Sequence, residues 1–317
     1  MSAAALMLIF IAALAHASWN LFSKQASASG GTMFFWLVAV VATMVYVPVV
    51  AGCVLIAHPH LTAANWGFMA GTGVLQAAYF LFLQRGYRAG DLSLVYPIGR
   101  GTGALLATLA GILLLGERPG PAAIAGILAI VAGIVVIGLP SRPGARPATT
   151  TDGSGGPQRP GQAVPAGPAG PAARRVSRGP AIGFALATGA FIASYTMWDK
   201  YAVTTLHTPA ILQGYAPFPL MALAFSVLVR RDVPRLRGVW RQYRPQVVAT
   251  AVLAPLAYML VLVALSFTAV SVVAPTREVS VLFGVILGRR MLGEGDLPRK
   301  LAAAAAIVAG IVAVAIG

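Results

Sequence analysis

The chain has 317 residues, 58% of them hydrophobic and 10% charged, with a mean hydropathy of +0.81. Soluble domains carry about 25% charged residues, and eight acids cannot dress a water-facing surface, so the composition excludes a soluble protein and points to an all-α polytopic membrane protein. The net charge of +15 lies in short segments between apolar runs, which is the positive-inside pattern and excludes a basic face for nucleic acid.

A membrane-spanning helix needs about 20 apolar residues, and ten stretches qualify: 3–24, 31–56, 65–84, 92–115, 121–138, 180–199, 209–229, 246–267, 270–288 and 299–316. The N-terminal stretch MSAAALMLIFIAALAHAS ends in Ala15-His16-Ala17 before Ser18, which imitates a signal-peptidase site, but no basic residue precedes its apolar core; it is read as part of the first span. His16, Trp19, Asn20 and Ser23 recur there at helical spacing and share one face. Lipid does not suit that face, which should point into the bundle. The second span reaches the loop tripeptide His58-Pro59-His60, which has no third metal ligand near it, and Cys53 is the lone cysteine, so no disulfide and no metal site is expected. The third span contributes Tyr79.

The fourth span carries Tyr96, Pro97 and Arg100 and ends in Leu115-Gly116-Glu117. A guanidinium at the bilayer centre costs about 2.5–3.5 kcal/mol on insertion scales, so Arg100 needs a cause. Gly99 to Gly103 reads GRGTG, but no strand precedes it, so it is no dinucleotide loop; small residues there permit close helix packing. The fifth span is followed by residues 140–179, which hold eight prolines, six arginines and no Leu, Ile or aromatic residue. Such a composition cannot bury enough apolar surface to offset chain entropy, so this segment is expected to be a disordered linker.

Beyond the linker, the sixth span offers Tyr195, Trp198 and Asp199, and the eighth Tyr258. The ninth carries Pro275, Arg277 and Glu278 and runs toward Leu292-Gly293-Glu294. Glu278 adjoins Arg277, but consecutive side chains do not face each other on a helix, so Glu278 is expected to pair across to another helix. Glu117 and Glu294 are expected to cap the fifth and tenth helices or to contact loop groups.

The two halves repeat each other. Arg100 and Arg277, the two Leu-Gly-Glu motifs, and IVAGIV at Ile130 and Ile307 all share an offset of 177. SWNLFSK (Ser18 to Lys24) lies over SYTMWDK (Ser194 to Lys200) at 176. An odd number of spans per half makes the second half enter from the opposite side, giving an inverted repeat with a binding site near the midplane. The expected division is 1–139, a first five-helix repeat; 140–179, the linker; and 180–317, a second five-helix repeat. Nineteen of the 23 Lys and Arg lie in loops after odd-numbered helices, which puts the linker in the cytoplasm and both termini outside.

HASWNLFSK in the first span and VYPIGRGTGALLATLAGILLLGERP across the fourth resemble the EamA-type family of the drug/metabolite transporter superfamily. APTREVSVLFGVILGRRMLGE (Ala274 to Glu294) follows the same pattern. The resemblance covers nearly the whole chain except the linker. It implies ten helices in two EamA repeats and a central cavity lined by the first, third, fourth, sixth, eighth and ninth helices. It implies transport, mostly export, of amino acids and other small metabolites. It also implies both termini in the cytoplasm, against the charge count of this chain.

The expected function is thus a secondary transporter, an exporter of a small metabolite such as an amino acid or related carboxylate, working by alternating access in the inner (plasma) membrane. Its partners are that solute, membrane lipid and, through a buried acid, protons; no cofactor is implied, and a monomer suffices. Substrate-binding candidates are His16, Trp19, Asn20, Tyr79, Tyr96, Arg100, Tyr195, Trp198, Tyr258 and Arg277, with Asp199 and Glu278 for proton coupling. The arginines either line the path and attract an anionic group or hydrogen-bond carbonyls freed by the nearby prolines. A lipid or glycolipid flippase and an uncoupled facilitator stay open as alternatives. The chain has no G-x4-G-K-[ST], H-E-x-x-H or G-x-S-x-G motif, so neither ATP use nor an intramembrane enzyme is expected.

Overall fold

The computed structural model describes residues 2–26, 31–89, 92–138, 178–230, 233–280, 283 and 297–316. Among these the chain is helical: α1 (Ala3–Ala26), α2 (Gly31–Ala57), α3 (Ala63–Ala89), α4 (Leu92–Leu114), α5 (Pro121–Gly138), α6 (Arg178–Thr204), α7 (Ala210–Tyr215), α8 (Pro217–Val229), α9 (Val233–Phe267), α10 (Val270–Thr276) and α11 (Leu297–Ile316). Six stretches among the described residues are helices long and apolar enough to cross a membrane: α1, α2, α3, α6, α7 with α8, and α9. Parts of α4, α5 and α11 form shorter apolar helices. Residues 140–177 of the linker and Leu292-Gly293-Glu294 lie outside the described residues, as does most of the predicted ninth span beyond Ser280, while Arg178 and Gly179, assigned to the linker, begin α6 instead.

Three spans differ from expectation, each for a backbone reason. The seventh is split into α7 and α8 at Ala216, because Pro217 has no N–H to donate to the Gln213 carbonyl. Ala216 itself keeps helical dihedrals (φ −50°, ψ −35°). The eighth starts at Val233 rather than 246, and its first turns are bent off the rest at Tyr243 (φ −120°, ψ 19°), just before Pro245. The ninth loses regular helix after Thr276, so that Arg277 and Glu278 sit in a turn.

Outward faces of these helices expose Met7, Leu55, Leu114, Leu128 and Leu223, as lipid-facing surfaces should. Inside, Ile9 of α1 packs with Leu262 and Leu265 of α9 and Val270, Val273 and Ala274 of α10. Phe34 and Val38 of α2 meet Phe218 of α8 and Val247 of α9. The most extensive pairings are α5 with α11, α4 with α6, α1 with α9 and α3 with α6.

Small residues set how closely these pairs approach. A Cβ on Gly189 of α6 would lie 2.9 Å from the Gly99 carbonyl of α4, and one on Gly103 would lie 2.7 Å from Ile192. A Cβ at Gly310 of α11 would stand 2.6 Å from the Gly126 carbonyl of α5, and one at Gly133 of α5 would stand 2.9 Å from the Ala303 carbonyl of α11. The GRGTG and IVAGIV segments are therefore helix-crossing points.

Candidate functional site

The bundle encloses a cavity of about 90 Å³, room for several waters at roughly 10–15 Å³ each. His16 and Trp19 line it from α1, Tyr79 from α3, Arg100 from α4, Tyr195 from α6, Tyr258 from α9 and Arg277 from the turn after α10. Walls from α2 (Phe35, Val38, Ala39) and α8 (Phe218, Met221) complete it. The cavity thus draws on the second and seventh spans as well as the six that the family resemblance implies.

At one side of the cavity two cations share one anion. Arg100 Nε donates to Glu278 Oε2 at 2.8 Å, and Arg277 Nε donates to Glu278 Oε1 at 3.2 Å. Arg100 Nη2 reaches Ser280 Oγ at 3.4 Å, and Arg277 Nη1 reaches Thr196 Oγ1 at 3.4 Å. The guanidinium carbon of Arg277 lies 6.0 Å from the Tyr195 ring centre, within cation–π range. All three ions are buried: Arg100 is 5% exposed, Arg277 8% and Glu278 0%. The triad carries a net charge of +1, and the buried Arg277 Nη2 has no hydrogen-bond partner among the described residues.

The expectation that Glu278 cannot meet its neighbour Arg277 is corrected here. That rule holds for regular helix, and the chain has left it at these residues. Glu278 N–H bonds the Pro275 carbonyl and Ser280 N–H the Arg277 carbonyl, both three residues back. This tighter turn lets consecutive side chains converge. The prediction that Glu278 pairs across to another helix holds as well, through Arg100.

A second polar cluster lies behind Tyr258. Asp199, fully buried, accepts from Thr72 Oγ1 at 2.5 Å and Gln213 Nε2 at 2.9 Å through Oδ1, and from the Tyr258 hydroxyl through Oδ2. Tyr195 stands between Tyr79 and Tyr258, edge-on to both at 6.0 and 6.2 Å. The aromatic side chains thus form a continuous wall across α3, α6 and α9.

Other candidates fall elsewhere. Trp198 stacks on Phe68 at 4.1 Å and donates its indole N–H to the Phe68 carbonyl at 2.8 Å, away from the cavity wall. Asn20 turns back onto its own helix, donating to the His16 carbonyl at 2.7 Å, and does not line the cavity. The Tyr96 side chain lies outside the described residues. His16 accepts the Trp19 indole N–H at Nδ1, 3.2 Å away. Sequence reasoning missed Gln76 and Thr250 on the cavity wall, and Thr72 and Gln213 beside Asp199. The signal was there: Thr72, Gln76 and Tyr79 are polar at i, i+4 and i+7 inside an apolar span.

The first Leu-Gly-Glu motif caps a helix, but not the fifth one. Gly116 adopts a left-handed conformation (φ 66°), which costs other residues roughly 1–2 kcal/mol. That turn carries Glu117 across to α10, where it accepts the Val270 N–H at 2.7 Å and the Ser271 N–H at 2.8 Å. The first half thus caps a helix of the second, and the expected cap on the fifth helix is not what Glu117 makes. Nearby, Lys200 Nζ donates to the Leu265 and Thr268 carbonyls at 2.8 and 2.9 Å, closing the end of α9. Loss of an N-cap side chain costs about 0.5–2 kcal/mol. Glu117→Ala should therefore lower the thermal unfolding midpoint of purified protein by a few degrees; an unchanged midpoint would remove the capping role.

A model of the EamA-like transporter family matches residues 3–139 and 179–316. A solved crystal structure resembles the chain with a TM-score of 0.72 at 17% sequence identity, covering 100% of this chain and 98% of the other; at that identity the likeness is one of fold. No curated protein matches the chain.

Proposed function

The chain belongs to the EamA-like transporter family, and from that premise we propose that it exports a small metabolite bearing an anionic group, such as an amino acid or related carboxylate. Members of this family are membrane transporters rather than enzymes, and the apolar helices make this chain a multi-pass membrane protein. The observation that carries the substrate reading is the buried triad. Two guanidiniums beside the cavity share one carboxylate, and Arg277 Nη2 retains an unused donor. A buried donor without a partner costs about 1–3 kcal/mol, and a carboxylate entering the cavity satisfies it.

Transport proceeds by alternating access between two inverted repeats, 1–139 and 180–317, joined by the linker 140–179. Contact symmetry supports this. Shifting by 177 turns Gly126 into Ala303 and Gly133 into Gly310, so the contacts Gly126–Gly310 and Gly133–Ala303 exchange with each other. In the same way α1 packs on α9 as α6 packs on α3. Arg100 and Arg277 then face the cavity from equivalent places. His16, Trp19, Tyr79, Tyr195 and Tyr258 complete the binding wall. Coupling falls to Asp199 rather than Glu278, because Glu278 is already held by two cations while Asp199 accepts from the neutral donors Thr72, Gln213 and Tyr258. The protein works in the inner (plasma) membrane.

The test is solute counterflow in proteoliposomes. Labelled carboxylates and zwitterionic amino acids should exchange at rates well above protein-free vesicles, and primary amines without a carboxylate should not. Exchange of amines alone would overturn the anion reading.

A further inference from the structure

Gln213, 0% exposed, points its side-chain amide into a ring of oxygens. Its Nε2 lies 2.9 Å from Asp199 Oδ1, 2.7 Å from Thr72 Oγ1 and 3.5 Å from the Phe68 carbonyl. Its own Oε1 is buried with no hydrogen-bond partner among the described residues. A half-turn of the amide exchanges the two atoms and brings Oε1 in as a fourth oxygen. The cluster then holds one carboxylate, one hydroxyl, one backbone carbonyl and one amide oxygen. Hard cations take such all-oxygen donor sets. One formal negative charge balances a monovalent ion; a divalent ion would leave excess charge buried near the Arg277 guanidinium, at a steep desolvation cost.

Two further features tie the cluster to transport. Pro217 removes the N–H that would bond the Gln213 carbonyl within a helix, and carriers build coupling-ion sites where helical bonding is interrupted. Tyr258 donates its hydroxyl to the other Asp199 oxygen while its ring lines the central cavity. A change in the charge at Asp199 is therefore felt at the cavity wall through one side chain.

We infer that Asp199, Thr72, Gln213 and the Phe68 carbonyl form a binding site for one monovalent alkali cation, which couples to solute movement through Tyr258. The inference rests on Asp199 being the coupling residue, and it names the coupling ion.

The test uses the full chain purified in detergent, with choline chloride exchanged for sodium or potassium chloride at constant ionic strength. Radioactive sodium or its potassium-site congener rubidium should bind saturably, with one ion per chain. The preferred ion should raise the unfolding midpoint by at least about 2 °C, the scale expected of ligand linkage. Asp199→Asn should abolish binding, and Thr72→Val should weaken it at least 10-fold; if the Asn variant does not fold, the Val variant decides. No saturable binding of either ion overturns the site, as does binding unchanged in the variants. A midpoint that responds to pH but to neither ion also overturns it and leaves a proton in its place. Binding is read without any solute, so its failure is distinct from a failure of carboxylate exchange.

Discussion

Replacing Glu278 by alanine should cost the fold about 3–5 kcal/mol, the scale set by removing one member of a buried ion pair. The effect is large because Glu278 is shared. Its two oxygens hold Arg100 at 2.8 Å and Arg277 at 3.2 Å, so one deletion takes the shared carboxylate from between two buried guanidiniums that lie close together. The unfolding midpoint of purified protein should fall by at least about 6 °C. Adding Arg100→Met should recover part of that loss, since it removes one of the two repelling charges and leaves a coupling of about 0.5–3 kcal/mol in the double-mutant cycle. A single variant that unfolds at the wild-type temperature would show that the triad does not hold the two halves together.

Arg277→Gln should reduce transport of a carboxylate-bearing solute about 10- to 100-fold, the value of one charge-assisted hydrogen bond of roughly 1.5–3 kcal/mol. Glutamine keeps a donor near Thr196 and Tyr195 but cannot supply the charge. It also changes the balance of the site from +1 to zero, leaving Arg100 and Glu278 as a neutral pair. The loss should therefore depend on the solute. The ratio of carboxylate to amide-analogue transport should fall by the same factor, measured as kcat/KM in proteoliposomes. Equal losses for both solutes would assign Arg277 to structure, as the proline-kink reading has it.

Much of this architecture is written in the repeat. The common offset picked out Arg100, Arg277 and Leu-Gly-Glu, because a deeply placed cation and a left-handed glycine tolerate little replacement. What stayed hidden depends on where the backbone leaves regular helix. The Arg277–Glu278 contact is invisible to helical spacing, since the turn there bonds three residues back. At the offset of 176 Trp19 falls over Tyr195, and both line the cavity, whereas Trp198, which falls over Phe22, does not. Gly71 decides the difference: a Cβ there would lie 2.6 Å from the Trp198 ring, so the absent side chain makes the slot that draws Trp198 toward α3. Such a slot belongs to another helix and cannot be read from the tryptophan's own neighbours. Gln213 and Thr72 were legible as polar residues within spans, but their convergence on Asp199 is a matter of three helices meeting.

The sharing of Glu278 bears on the proposed alternating-access cycle as a whole. Gly101 stands where the first repeat would carry the matching acid, and Ser23 stands where it would match Asp199. Perfectly identical halves would make the two end states of a rocking motion degenerate in energy. Here both carboxylates belong to one half, so that degeneracy is lifted. Under the proposed alternating access, positions 101, 278, 23 and 199 then contribute to which end state is preferred before any gradient is applied.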